Sequence, residues 1–263
     1  MTTVDAAQSG TFKLGGEIEI NRIGIGTNRI EDDARSHTIL PVALDRGINL
    51  IDTADIYTRG TSESVIGQTI ASDPRAHVAT KGGYHGGAPE KIAAAIEASR
   101  ARLGLDTIDL YYLHRPSSDI PIEQSVDPIL AARQDRRVRH IGLSNVTLDQ
   151  IDRVRELAPI AAVQNIYNLE NTENEDVIDY CERHSIMFVA YFPLRASERA
   201  KKLAKRVGAD RNQVVLAAML ARSPVIVPIP GTRSVEHLES NLRASELSIS
   251  ADDLKELGLG SHA

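Results

Sequence analysis

Asp52, Tyr57, Lys81 and His114 are the residues of this chain whose types and spacing could do chemistry together. A phenol with a pKa of about 10 keeps its proton at neutral pH unless a nearby cation stabilises the phenolate. Lys81 is placed to be that cation and Asp52 to hold Lys81, which would make Tyr57 a general acid. His114 would donate to a carbonyl oxygen, or to the phenol, and share the charge that develops. Such a set supplies a proton but no electron pair, so carbonyl reduction here calls for hydride from a nicotinamide cofactor. Singly, each residue has an ordinary structural use: a helix cap for Asp52, a loop or surface group for the others. Their joint occurrence after three different apolar runs favours the chemical reading.

Those runs are Ile48-Asn49-Leu50-Ile51 before Asp52, His77-Val78-Ala79-Thr80 before Lys81, and Ile108-Asp109-Leu110-Tyr111-Tyr112-Leu113 before His114. In a barrel of parallel strands wrapped by helices, residues at the carboxyl ends of different strands meet at one mouth. Strand-like runs at 23–25, 48–51, 77–80, 108–113, 138–143, 162–164, 186–191 and 225–227 alternate with helix-period segments. The helical segments lie near 33–46, 62–70, 89–103, 122–133, 148–157, 174–183, 198–206, 212–221 and 235–244. This alternation predicts an α/β fold, a (β/α)8 TIM barrel, in one domain spanning 1–263. Segments 11–14 and 17–20 around Gly15-Gly16 predict an N-terminal β-hairpin that plugs one end. A doubly wound sheet is the rival, but Gly24-Ile25-Gly26-Thr27-Asn28-Arg29 supplies only two glycines of the usual phosphate fingerprint.

A net charge of −6 with 25% charged residues argues against nucleic acid or an anionic membrane as the main partner. Met1-Thr2-Thr3-Val4-Asp5 shows no basic and apolar leader, which predicts a cytoplasmic protein. Cys181, the single cysteine, reads as a packed thiol. The basic cluster Arg133, Arg136, Arg137, Arg139 and His140 reads as a solvated face, and the scattered histidines suggest no metal site. Nothing selects an oligomer, and a monomer is the default expectation.

With these residues in view, the chain resembles the aldo-keto reductase family, in particular bacterial-type NADP-dependent oxidoreductases. Asp52-Thr53-Ala54-Asp55-Ile56-Tyr57 is similar to the family's Asp-x-Ala-x-x-Tyr stretch, and Ala79-Thr80-Lys81 and Leu113-His114-Arg115-Pro116 to the next two catalytic segments. The similarity runs from Gly24 to about Asn241. It implies reduction of an aldehyde or ketone with NADPH. Ser144, Asn145 and Gln164 would contact the nicotinamide carboxamide and Tyr191 would stack on its ring, with Pro193 and Leu194 following. Gly231, Thr232, Arg233, His237 and Asn241 resemble the segment that holds the adenosine phosphate and adenine. A strand, a short loop and a helix start is also an anion site on physical grounds. His237 stands where many relatives carry Arg, which keeps NAD open beside NADP.

The chain passes from Tyr191-Phe192-Pro193-Leu194 almost directly into the helical stretch 195–206, so the loop that folds over the pyrophosphate in relatives looks truncated, with Arg195 as its substitute. Asn28, Arg29, Tyr84, His85 and Arg115 are the candidate substrate contacts, in loops at the carboxyl face. Two alternatives stand beside the reductase: a nicotinamide-binding regulatory subunit with slow turnover, and a Schiff-base lyase using Lys81. Asp52 argues against the second, because a paired, charged lysine is a poor nucleophile.

Overall fold

The structure is a computed structural model that describes residues 4–195 and 198–260. The first three residues, the last three, and the 196–197 part of the expected 195–206 helix lie outside the described residues. The hairpin forms from β1 (Thr11–Leu14) and β2 (Ile18–Asn21), with Leu14 opposite Ile18. Its turn uses positive φ at Gly15 and Gly16, 60° and 82°, and a Cβ on Gly15 would fall 2.1 Å from the His140 ring.

The parallel strands follow in order: β3 (Ile25–Gly26), β4 (Leu50–Asp52), β5 (His77–Gly82), β6 (Ile108–Leu113), β7 (Val138–Ser144), β8 (Ala162–Ile166), β9 (Met187–Tyr191) and β10 (Ile226–Pro228). Each pairs with the next in sequence, giving one 8-stranded sheet. Between its edge strands, the N–H of Gly24, just before β3, donates to the Pro228 carbonyl of β10 at 3.0 Å.

Crossover helices α1 (Ala34–Asp45), α2 (Thr61–Thr69), α3 (Pro89–Leu103), α4 (Ile122–Gln134), α5 (Leu148–Arg155) and α6 (Glu175–Arg183) connect β3 through β9. Two helices, α7 (Glu198–Val207) and α8 (Arg211–Arg222), precede β10, and α9 (Val235–Leu242) follows it. The helix α10 (Ala251–Leu257) was not among the expected segments. It is too short for a periodic pattern, although Ser250 and Asp253 form a capping box and Gly258 ends it with φ 81°.

Alternation along the strands divides the core in two. Leu110 and Tyr112 point inward with Leu50, Ala79, Met187 and Val189, where hairpin residues Leu14, Ile18 and Ile20 pack onto them. Tyr111 and Leu113 point outward into the layer between sheet and helices. Cys181 is buried in that outer layer, and burial pushes its thiol up to about 12. No helix among the described residues is long and apolar enough to cross a membrane.

Gly67, on α2, lies against the end of α3, where an added Cβ would come within 2.4 Å of the Arg102 carbonyl oxygen. Helix propensity alone would favour alanine by roughly 1 kcal/mol. Gly67→Ala is nonetheless expected to lower unfolding stability by about 1–3 kcal/mol, because the neighbour is backbone and cannot rotate away. A urea midpoint equal to or above wild type would contradict this packing.

Candidate active site

Asp52 closes β4 and Lys81 lies in β5, the adjacent strand, so their side chains meet inside the sheet. The Lys81 ammonium sits 2.6 Å from Asp52 Oδ1 and donates to the Thr53 carbonyl at 2.7 Å. From β8, Gln164 Nε2 donates to Asp52 Oδ2 at 2.6 Å. Lys81 is fully buried and Asp52 is 1% exposed, so the pair depends on these partners for its solvation. Burial works to lower the Lys81 pKa, but Asp52 and then Tyr57 outweigh it and hold the amine charged.

After β4 the backbone stays tied to β5 through Thr53 N–H to the Ala79 carbonyl and Asp55 N–H to the Lys81 carbonyl. Tyr57 follows, and then Thr58, Arg59 and Gly60 all take positive φ, 46°, 57° and 88°. A β-branched residue in that region is strained. Thr58 is held there because its Oγ1 donates to the Ile30 carbonyl at 2.8 Å and accepts the Ser62 N–H at 3.0 Å. The kink leaves the Tyr57 ring centroid 5.2 Å from Lys81 Nζ.

The expected lowering of the Tyr57 pKa by Lys81 is not the net result. Burial pushes the phenol up, Lys81 opposes it, Asp52 cancels part of that opposition, and the balance is upward. Tyr57 therefore keeps its proton at neutral pH. His114, just past β6, is fixed by its N–H to the Gly82 carbonyl at 2.8 Å. Burial, with Lys81 and Arg115 adding to it, brings its imidazole down to about 3, so the ring is neutral. Its Nδ1 is buried without a hydrogen-bond partner among the described residues.

A cavity of about 260 Å³ opens above the pair. Asp52, Tyr57 and His114 line it, together with Asn28, Tyr84 and Arg115 from the substrate candidates. Ser144, Asn145, Gln164, Tyr191, Pro193 and Gly231 line it from the cofactor candidates. Asn145 connects the two groups: it accepts from the Tyr191 hydroxyl at 2.7 Å and donates to the His114 carbonyl at 3.0 Å, with φ at 58°. Lys81 lies beneath the cavity and does not line it.

A second cavity of about 280 Å³ holds Arg29, Thr232, Arg233 and His237 and shares Gly231 with the first. Arg233 is ion-paired there with Glu31, at 3.2 Å, and with Asp33. Asn241 is set deeper, in a small recess with Thr232, Pro230 and Leu238. His85, Leu194 and Arg195 line neither of these first two cavities. His85 meets the Tyr84 ring edge-on, Leu194 packs against the outer core, and the Arg195 guanidinium covers the exposed Phe192 ring at 5.6 Å.

Residues absent from the expected set also line these cavities: Gly26, Thr27, Ile56, Phe192 and Ile229 the first, Arg35 and Ser234 the second. Gly26 and Thr27 sit in the glycine-containing segment already noted and Ser234 has the residue type of a helix N-cap, so those three carried a local signal. Arg35 gave none, because its proximity is set by packing of α1 against a distant loop.

The sequence matches the Aldo/keto reductase family over residues 22–197 and 193–258. It is 35% identical over 275 residues to an uncharacterized oxidoreductase of Schizosaccharomyces pombe, covering 95% of this chain and 90% of that one. It is 33% identical over 280 residues to pyridoxine 4-dehydrogenase of Escherichia coli, covering 95% and 97%. Among solved structures it resembles the thermostable aldo-keto reductase Tm1743 in complex with epalrestat, with TM-score 0.87, 30% identity and coverage of 94% and 98%. An aldo-keto reductase from Klebsiella pneumoniae in complex with NADPH matches with TM-score 0.83, 27% identity and coverage of 98% and 94%. The chain belongs to the aldo/keto reductase family and is an oxidoreductase.

Removing one member of the buried pair strands the other. Lys81→Met is expected to cost about 3–5 kcal/mol in urea unfolding, and Asp52→Asn/Lys81→Met to recover more than half of that. A double variant as unstable as the single one would show that the charges were not the issue. Behind Tyr57, the half-buried Asp55 is pushed up to about 6 by burial and then by the Glu63 carboxylate. The folded state thus binds the Asp55 proton more tightly than the unfolded chain. Its contribution to stability is present below about pH 4 and lost as pH rises through about 6. Asp55→Asn should therefore gain stability over wild type between pH 4.5 and 7.5, and unfolding curves whose difference does not change with pH would rule this out.

Proposed function

We propose that the chain reduces an aldehyde or ketone to an alcohol with NADPH, and that Tyr57 is the proton donor. The carrying observation is that protonated Tyr57 and neutral His114 face the same cavity as Ser144, Asn145, Gln164 and Tyr191, above a buried Lys81–Asp52 pair. The reading takes the sheet as a closed (β/α)8 barrel in a single domain, supported by the Gly24 to Pro228 bond between its edges.

The residues present fit a dinucleotide. The first and second cavities share Gly231, and at Gly26 a Cβ would lie 2.9 Å from the Ile229 carbonyl oxygen, so the wall there is bare backbone. Arg29, Arg35 and Arg233 beside the start of α9 suit a phosphate. A 2′-phosphate has to compete with Glu31 and Asp33 for Arg233, which keeps NAD as the second cofactor candidate. When bound, the reduced nicotinamide supplies the hydride.

The Tyr57 hydroxyl then donates its proton to the carbonyl oxygen, and Lys81 stabilises the phenolate left behind. Asp52, gripped by Gln164, keeps Lys81 in position. His114, uncharged, orients the oxygen as a neutral hydrogen-bond partner. Tyr191 offers a ring face to the nicotinamide, and Ser144 and Asn145 offer polar groups to its carboxamide. A Schiff base at Lys81 is disfavoured because the amine is charged, buried and bonded to Asp52 and Thr53. The complete set of four residues disfavours a subunit that only binds cofactor.

The test is reduced-nicotinamide oxidation with NADPH and NADH against aromatic, aliphatic and sugar-like carbonyls. Tyr57→Phe should lower kcat by about 10²–10⁴ while the NADPH Kd, read by fluorescence, stays close to wild type. Across pH 5–8 the wild-type rate should show no limb from His114, since its pKa of about 3 lies below that range. Full turnover in the Tyr57→Phe protein would remove the proton-donor assignment, and absent NADPH binding would remove the cofactor assignment.

A further inference from the structure

Charge in the first cavity is unevenly matched. Asp52 is neutralised by Lys81, His114 is uncharged, and Tyr57 carries its proton. Arg115 remains, lining the same cavity with an exposed side chain and with no carboxylate partner among the described residues. Its guanidinium lies 5.0 Å over the Tyr84 ring, and that ring meets His114 edge-on at 4.8 Å. The free cation therefore sits one aromatic ring away from the group that faces the reacting oxygen.

Two features keep it there. Pro116 follows directly and restricts the Arg115 backbone to extended conformations, while the preceding His114 is anchored to β5 through the Gly82 carbonyl. The guanidinium lies over the Tyr84 ring, and its N–H groups donate to no protein acceptor among the described residues. That planar fork matches a carboxylate in bidentate geometry. A single cation, with no second charged donor lining this cavity among the described residues, suits a monoanion better than a phosphate dianion.

We infer that the substrate is a carbonyl compound bearing a carboxylate a few bonds from the reducible carbon, and that Arg115 holds that carboxylate. This rests on the reductase reading for the fate of the carbonyl, but not for the binding of the anion. The paired substrates are 4-formylbenzoate and its methyl ester, assayed at low ionic strength with NADPH. Wild type should favour the acid by roughly 10- to 100-fold in kcat/KM, carried mainly by KM. In Arg115→Gln that ratio should fall to about 1, and in Arg115→Lys it should be partly retained, since a point charge replaces the fork.

A second readout does not depend on turnover: calorimetric titration of the NADP-saturated protein with 4-methylbenzoate and 4-methylbenzamide. Tighter binding of the acid in wild type, lost in Arg115→Gln, supports the site. If that holds while neither aldehyde is reduced, the reductase reading fails and the anion site stands. Equal binding of acid and amide, or an acid preference that survives Arg115→Gln, overturns the inference.

Discussion

The Lys81–Asp52 ion pair is the interaction around which the site is arranged. Two full charges inside a sheet are costly to desolvate, and the cost is tolerable only where further hydrogen bonds satisfy the remaining lone pairs and protons. Here β5 supplies the lysine, β4 the carboxylate and β8 the Gln164 amide, so three strands must keep register for the pair to exist. The same pair sets the electrostatics of the cavity floor. Lys81 helps keep His114 unprotonated, and Asp52 offsets part of what Lys81 would do to the Tyr57 phenol. The result is a protonated phenol beside a neutral imidazole, with a cation in reserve for the moment the phenol loses its proton.

Around that rigid floor, the residues at the mouth are held by unusual backbone. Thr58, Asn145 and Phe192 have positive φ without being glycine; Asn145 and Phe192 line the cavity, and Thr58 directly follows Tyr57, which also lines it. Such conformations persist only where neighbouring bonds over-determine them. For Thr58 the bonds run to Ile30 and Ser62, and for Asn145 to Tyr191, His114 and Gln164. Asn145 thereby joins the expected cofactor side to the expected catalytic side. Behind the tyrosine loop, buried Glu63 is bridged to Arg102 at 2.6 Å and to the Thr80 hydroxyl at 2.5 Å, which anchors the start of α2 to β5 and α3.

Much of the frame was legible along the chain because it is written in local periodicity. Short apolar runs between polar, helix-period segments marked the parallel strands, and Gly15-Gly16 marked the hairpin turn. Strand ends then located Asp52, Lys81 and His114, since the geometry of parallel strands carries consecutive ends to one face. The helix α10 escaped because seven residues hold too few turns for a period, and its caps were the surviving signal. The expected role of Arg195 had no geometric counterpart in the cavity, where Phe192 receives its guanidinium.

By itself the sequence determined the alternating elements, the hairpin, and which residue types stand at which strand ends, because these depend on neighbours a few positions away. Only the tertiary structure decided what those residues are to one another. Gln164 reaches Asp52 across 112 positions of sequence, Arg233 reaches Asp33 across 200, and Arg115 has no acidic partner among the described residues while sharing a cavity with Tyr57. The direction in which Tyr57 titrates belongs to the same class, since it follows from burial and from charges on other strands. Desolvation and charge pairing are sums over everything that packs nearby, and that set is defined only once the strands are side by side.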